Sequence, residues 1–174
     1  ERDRIEHMVF YSGLEASSVP IHKVNLNTLN DDATINFINQ FNPKLVISYG
    51  CHKLNSRFMN SVPARFWNTH GGLSSGYRGV ITHFWPSYFL EPQMTGITLH
   101  ETTDFLDGGE VIFQTAAPMV SGDSLHRLAA RNVELYSDAL ASKLTDLDFS
   151  KLPKGQKQGG YGKVFMSKDW RPEH

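Results

Sequence analysis

Three side chains in this chain could do chemistry together: Asn68 and His70 in the segment FWNTHGGL, and Asp107 in ETTDFLDGGEVI. An asparagine amide donates hydrogen bonds without titrating, so it can steady a developing oxyanion. An imidazole with an ordinary pKa near ~6.5 moves a proton close to neutral pH. A carboxylate can orient that imidazole and hold it protonated. The combination suits transfer of an acyl or formyl group to an amine. Asn-x-His and Asp-Gly-Gly also arise by chance. The plain alternative is a polar strand end at Asn68 and His70 with a hairpin or loop at 107–109, so the surrounding elements must decide.

Hydrophobic patterning supplies those elements. Residues 1–10 read as the end of a helix, and 19–24 (VPIHKV) alternate as a short strand. Asn30 is the expected N-cap of a helix carrying Asp31 and Asp32 in its first turn and Ile35, Ile38 and Phe41 at helical spacing. Asn42-Pro43 stops it. LVISY at 45–49 is a continuous apolar run closed by Gly50, as in a buried parallel strand. Strand, helix and strand in this order give a βαβ unit. Ligands in such sheets sit beyond the carboxyl ends of strands, which is where 50–54 falls.

Residues 66–68 read as the next strand and bring Asn68 and His70 to the same edge. A glycine- and serine-rich loop follows at 71–76. The apolar, aromatic stretch 80–90 reads as a helix interrupted at Pro86. Strands are expected at 95–100 and 110–116. The helix at 121–144 carries a stripe of Leu125, Ala129, Val133, Tyr136, Leu140 and Leu144, with Asp123 as its cap. The stripe reads as core. One domain over 1–150 is expected, with 151–174 as an irregular tail packed on it.

Composition narrows the classes. At 174 residues, 40% hydrophobic and 20% charged, the chain suits one globular domain. A net charge of -1 without a basic run speaks against a nucleic-acid platform. The single cysteine, Cys51, cannot form an internal disulfide, and a buried inert thiol in a reducing, cytoplasmic setting is expected. No apolar run approaches the ~20 residues of a membrane span, and no signal-like segment stands out. The chain opens ERDRIEH without a methionine, so further sequence is expected before residue 1.

The stretch from Asn68 to Gly109 resembles the folate-dependent formyltransferase family. The matching residues are Asn68, His70, Tyr77-Arg78-Gly79, Trp85, Gly96-Ile97-Thr98, Asp107 and Gly109, with spacings like the family pattern without a gap. The pattern is nearest to the branch of methionyl-tRNA and sugar N-formyltransferases. The strand ending Ser48-Tyr49-Gly50 also looks like its family counterpart, and the likeness spans 19–144.

The resemblance implies a Rossmann-like α/β fold: a mostly parallel sheet flanked by helices, whose first strand lies before residue 1. It implies N10-formyltetrahydrofolate as formyl donor and no metal. Asn68 and protonated His70 would donate to the oxyanion, while Asp107 raises the His70 pKa and helps carry the proton. The pterin would lie against Gly50, Cys51, His52, Lys53 and Leu54 and against Thr103, Asp104, Phe105 and Leu106, read largely by backbone groups. The turn Gly72, Leu73, Ser74, Ser75 resembles a folate-contacting turn. Arg78 could steady a phosphate or the loop; Tyr77 and Trp85 could wall the substrate pocket or simply be core.

The chain departs from the family where His-Pro-x-Leu-Leu-Pro is common and His70-Gly71-Gly72-Leu73-Ser74-Ser75 stands here. The glycine version is more like the sugar enzymes. Loss of proline loosens the turn, and Cys51, His52 and Lys53 are more polar than is usual near the pterin.

Of the acceptors the resemblance allows, a primary amine on a nucleotide-linked amino sugar is preferred. The tRNA enzymes carry a further C-terminal domain, and the charge disfavours tRNA. Glycinamide ribonucleotide enzymes lack the Tyr-Arg-Gly and Trp pattern. Formyltetrahydrofolate hydrolases share the triad with water as acceptor, so they stay open. The intact triad argues against a binding protein without turnover. The resemblance leaves room for a homodimer. His70, His83, His100, Asp104 and Asp107 are metal-ligand types without metal-site spacing. His83 and His100 read as structural, and His7, His22, His126 and His174 as surface.

Overall fold

Three of the described helices, α2 (Asp32–Asn39), α3 (Ser56–Ser61) and α5 (Leu125–Thr145), begin on side chains that accept amide protons. The computed structural model describes residues 1–11, 18–160 and 162–171, so Tyr161 and His174 of the expected tail lie outside the described residues. Helix α1 (Arg2–Glu6) runs into a π-helical turn at His7–Tyr11. Helix α2 (Asp32–Asn39) is capped by Asp31, whose carboxylate accepts from the Thr34 N–H at 2.9 Å. The expected cap, Asn30, instead ties this helix to a distant loop: its Nδ2 donates to Lys53 O and its Oδ1 accepts from Asn55 N.

The strand expected at 19–24 does not form. Val19, Ile21 and Val24 are 67%, 73% and 40% exposed, so the alternation that predicted a strand has no sheet face to serve. The βαβ unit is formed one element later, by β1 (Leu45–Tyr49), α3 (Ser56–Ser61) and β2 (Arg65–Gly71). Then follow β3 (Tyr77–Gly79), α4 (Trp85–Tyr88), β4 (Ile97–Glu101), β5 (Val111–Thr115), α5 (Leu125–Thr145) and β6 (Lys163–Phe165). The helix expected over 80–90 shrinks to the single turn α4, with Pro86 in its first positions, where a missing N–H costs nothing. Ser124, not Asp123, caps α5; Asp123 forms a two-pronged ion pair with Arg131 at 2.7 Å per contact.

The main sheet has the order β1-β2-β4-β5. β1 and β2 are parallel, and β4 is antiparallel to both β2 and β5. Three of the four strands therefore point one way, as a mostly parallel sheet requires, while the reversed β4 makes the pairing mixed. Phe66 enters a cluster with Ile35, Phe58 and Val62 under α2 and α3. Trp67, its neighbour, enters another with Leu99 and Tyr136 under α5. The period of two along β2 thus separates the two helical layers. The described tail is not irregular throughout: β6 pairs in parallel with β3, and Gln156 bridges Val111. Among the described residues no helix is long and apolar enough to cross a membrane.

Candidate active site

The same period places Asn68 and His70 on one face of β2 and Thr69 on the other. The Thr69 hydroxyl meets the Tyr136 hydroxyl of α5 at 2.6 Å in the core, which fixes the middle of the strand. Asn68 lies opposite Ser48 of β1 and opposite His100 of β4. Ser48 Oγ donates to Asn68 Oδ1 at 2.8 Å, and this leaves Nδ2 as the outward donor. That Nδ2 stands 3.3 Å from His100 Nε2. His100 Nδ1 lies 2.8 Å from the Glu101 carbonyl, which can only accept, so a neutral His100 carries its proton there.

His70 is 5% exposed and held at both nitrogens. Nε2 donates to the Tyr77 carbonyl at 2.8 Å, and Nδ1 faces Asp107 Oδ2 at 3.4 Å. Asp107 adopts a left-handed backbone, φ 46°. Its Oδ2 accepts from the Gly79 N–H at 2.7 Å, and its Oδ1 is 3.5 Å from His100 Nε2. The carboxylate is therefore bracketed by two imidazoles. With the His70 Nε2 proton fixed on Tyr77, a neutral ring would turn a lone pair toward Asp107; a proton between them relieves that repulsion. Burial pushes His70 below its ordinary value, against the Asp107 charge and the Tyr77 carbonyl, which act to raise it. Burial alone would raise Asp107, yet His100, His70 and the Gly79 N–H together hold it below the usual carboxylate range.

A cleft of about 190 Å³ opens beside these groups. Ser48, Asn68, His100 and Asp107 form its floor. Cys51, His52, Lys53 and Leu54 make one wall and Thr102, Thr103, Asp104, Phe105 and Leu106 the other. Lys53 Nζ donates to Asp104 O at 3.1 Å and ties the walls together. Gly50, at φ 60°, turns the chain from β1 into the first wall. The Thr102 hydroxyl is buried without a hydrogen-bond partner among the described residues. Cys51 is exposed rather than buried, because it follows that turn out of the sheet. A larger hollow of about 580 Å³ lies between α1 and α5, lined by Tyr49, His83 and Val133 among others, and holds none of Asn68, His70 or Asp107. No group of three or more His, Cys, Asp or Glu side chains among the described residues could hold a metal ion.

Other expected site residues stand apart from the cleft. His70 itself does not line it and reaches it only through Asp107. The turn at 72–75 is fastened to β4 instead: Thr98 Oγ1 donates to Gly72 O at 2.8 Å and accepts from Ser74 N at 3.1 Å. Leu73 lies against Gly96, and Ser75 Oγ donates to the Gly159 carbonyl. Tyr77 and Trp85 are each 3% exposed in a cluster with Phe165, so packing claims their flat faces, and the Tyr77 hydroxyl donates to Glu91. Arg78 donates to Gly162 O at 3.2 Å in the tail. His100, Ser48 and the Gly79 N–H are site groups that the sequence did not point to. Ser48 could have been found from the parallel register of β1 on β2. His100 needed the reversal of β4, which no local pattern announces.

The family described as "Formyl transferase" matches residues 11–144. Phosphoribosylglycinamide formyltransferase of Escherichia coli (strain K12) is 34% identical over 104 residues, 58% of this chain and 48% of that protein. A sugar N-formyltransferase from a Shewanella species superposes with a TM-score of 0.67 at 23% identity, over 87% of this chain and 61% of that one. The formyltransferase PseJ from Anoxybacillus kamchatkensis, solved with UDP-4,6-dideoxy-4-formamido-L-AltNAc and tetrahydrofolate, gives 0.63 at 21% identity over 97% and 80%. The chain thus spans less than half of the Escherichia coli relative's length. The Rossmann-like α/β fold is shared with both solved structures. With the match running through β1, β2 and β4 and taking in Asn68, His70 and Asp107, this chain belongs to the formyl transferase family.

Proposed function

We propose that this protein transfers a formyl group from N10-formyltetrahydrofolate to a primary amine, and that the amine belongs to a nucleotide-linked amino sugar. The observation that carries the reading is the cleft itself. Asn68 and Asp107 share its floor, and two of the three segments expected to hold the donor, at 51–54 and 103–106, form its walls, while the turn at 72–75 stands apart. At about 190 Å³ it is smaller than the ~300 Å³ of a pocket enclosing a drug-sized ligand, so it suits a bicyclic head with the remainder outside. The unpartnered Thr102 hydroxyl and the wall backbone offer that head polar contacts.

When bound, the donor supplies an activated formyl carbon. Asn68 Nδ2, oriented by Ser48, donates to the oxygen that becomes anionic as the amine adds. Asp107 takes the proton released by the amine and shares it with His70 at 3.4 Å. The new C–N bond then persists while the bond to the donor nitrogen breaks, and the held proton leaves with that nitrogen. His100 Nε2, on the same floor, lies 3.5 Å from the other carboxylate oxygen and accepts from Asn68 Nδ2, which helps to aim that amide.

The sugar acceptor is supported by the likeness to the sugar N-formyltransferases. A second reading, phosphoribosylglycinamide as acceptor, is favoured by the 34% identity to the Escherichia coli enzyme. The test follows tetrahydrofolate release from N10-formyltetrahydrofolate with water alone, with nucleotide-linked amino sugars and with phosphoribosylglycinamide. Release that requires an amino sugar and yields its formamide is expected. Release with phosphoribosylglycinamide alone selects the second acceptor, and equal release in water overturns both.

A further inference from the structure

We propose that Gln158, in the C-terminal tail, is a positioning residue that holds the Asp107 loop in its working geometry. The proposal rests on the reading of Asp107 as the proton-accepting group. Gln158 Nε2 donates to Asp107 O and to Gly109 O, each at 2.7 Å. Both bonds fall on the backbone of the loop whose Asp107 has φ 46°, a conformation that L side chains seldom adopt unaided. Within the loop, Gly108 N and Thr103 Oγ1 each donate to Phe105 O at 3.2 Å, and the two shorter Gln158 bonds hold the loop from outside.

The rest of the tail is arranged around the same purpose. Gln156 N and O exchange two 2.8 Å bonds with Val111, so the chain at 156–158 runs along 107–111. A Cβ on Gly155 would press on Glu110, and one on Gly109 would overlap the Glu101 backbone, so the layers meet backbone to backbone. Further on, β6 pairs with β3 and fixes Gly79, whose N–H donates to the Asp107 carboxylate at 2.7 Å. One segment thus holds both the backbone that carries this carboxylate and the amide that orients it. Gln158 Oε1 is buried and has no hydrogen-bond partner among the described residues. The side chain is spent on its amide donors, which a structural filler would not need.

The groups facing the carboxylate are His70, His100 and the Gly79 N–H. If Gln158 lets go, Asp107 moves away from His70, and the charge that opposes burial at that imidazole weakens. The test compares the full chain with Gln158→Leu, Gln158→Met and a control, Gln156→Leu, whose side chain is exposed. Imidazole NMR titration of His70 reads the geometry without any substrate; donor turnover reads its consequence. In both Gln158 variants His70 is expected to titrate at lower pH than in the unaltered chain. The kcat falls by about ten- to a hundredfold with KM nearly unchanged, as for a small misplacement of a reacting group. Gln156→Leu leaves both unchanged. Gln158→Met keeps the length of the side chain without adding a charge, so a folded Gln158→Met protein stands in if Gln158→Leu does not fold. An unmoved His70 titration in a folded Gln158 variant overturns the proposal. A moved titration in a protein that shows no donor turnover sustains the positioning role and removes the transferase reading instead.

Discussion

Asn68 supplies the one side-chain amide on the floor of the cleft, and its orientation is settled by Ser48 rather than by a ligand. A donor set in advance spends its strength on the developing oxyanion. Asn68→Ala is therefore expected to lower kcat by about 10²–10³. Circular dichroism checks that the fold survives, and a change below threefold would remove Asn68 from the mechanism. Asp107→Asn keeps the shape but loses the charge. Turnover should drop by about 10²–10⁴, the range of a positioned proton acceptor. The pH dependence has a definite sign. In the proposed mechanism the Asp107–His70 pair receives the amine proton, so activity is expected to fall as acid protonates the pair. Burial holds His70 below 6.5, which puts the acid limb of kcat below that value. A limb at or above 6.5 would show that His70 is not in the proton path. Chemistry-bearing residues were legible one by one: an amide, an imidazole and a carboxylate announce their uses by type. Their environment was not. That His70 sits behind the cleft while His100 lines it depends on a strand reversal, and burial of an imidazole is a tertiary property.

At the scale of elements, β2 is the part that must not slip, since a shift of one residue would turn Asn68 away from the cleft and His70 away from Asp107. Its register is fixed on one side by β1, on the other by β4, and from beneath by Thr69 against Tyr136. Tyr136→Phe leaves the buried Thr69 hydroxyl without that partner, at a cost of about 1–3 kcal/mol. A thermal midpoint lower by about 2–4 °C per kcal/mol is expected for a chain of this size. No change would mean the contact does not hold the strand. β3 gives a sharper case. Gly79 has φ 96°, and a Cβ there would overlap the Phe165 carbonyl. Gly79→Ala must part β3 from β6 and withdraw the N–H from Asp107, so activity and stability should fall together. The strand at β1 and the length of α5 were readable, but β1 is half-buried with Tyr49 63% exposed, and on α5 Leu128, Ala130 and Asn132 are buried beside Tyr136 of the expected stripe. The 19–24 segment and the 80–90 helix were not readable. A weakly alternating segment becomes a strand only when a neighbour pairs with it, and Pro86 set the start of a single turn rather than a kink in a long helix. β6 has three residues, too few for a period to show.

The whole molecule builds its site at a junction of the main sheet, the small β3–β6 sheet and the tail, with two imidazoles sealed inside. The segments 51–54 and 103–106, which the resemblance assigned to the pterin, line one cleft, because backbone segments that follow strands travel with the fold. It did not foresee that the tail would reach Asp107, since the likeness ended at 144. Sealing imidazoles inside has a consequence for stability. His70 and His83 are both pushed below their ordinary value of 6.5, chiefly by burial. His83 Nε2 donates to Gly96 O at 3.1 Å, and its ring lies where a Cβ on Gly71 would touch it at 3.0 Å, so the backbone on one side of the ring takes the place of water. The folded state binds fewer protons than the unfolded chain once pH falls below 6.5. Stability is then complete above 6.5 and is lost as pH drops through the folded values. Asp107 adds a second, separate loss: it is held below 3.8, so its contribution is intact above 3.8 and disappears as pH falls further. Urea unfolding across this range should show the midpoint declining from 6.5 downward and steepening again below 3.8. His83→Gln keeps a donor for Gly96 and cannot titrate, so the first decline should become shallower while the second stays. If His83→Gln leaves the first decline as steep as before, burial of His83 is not what acid attacks, and His70 at the site must carry that loss alone.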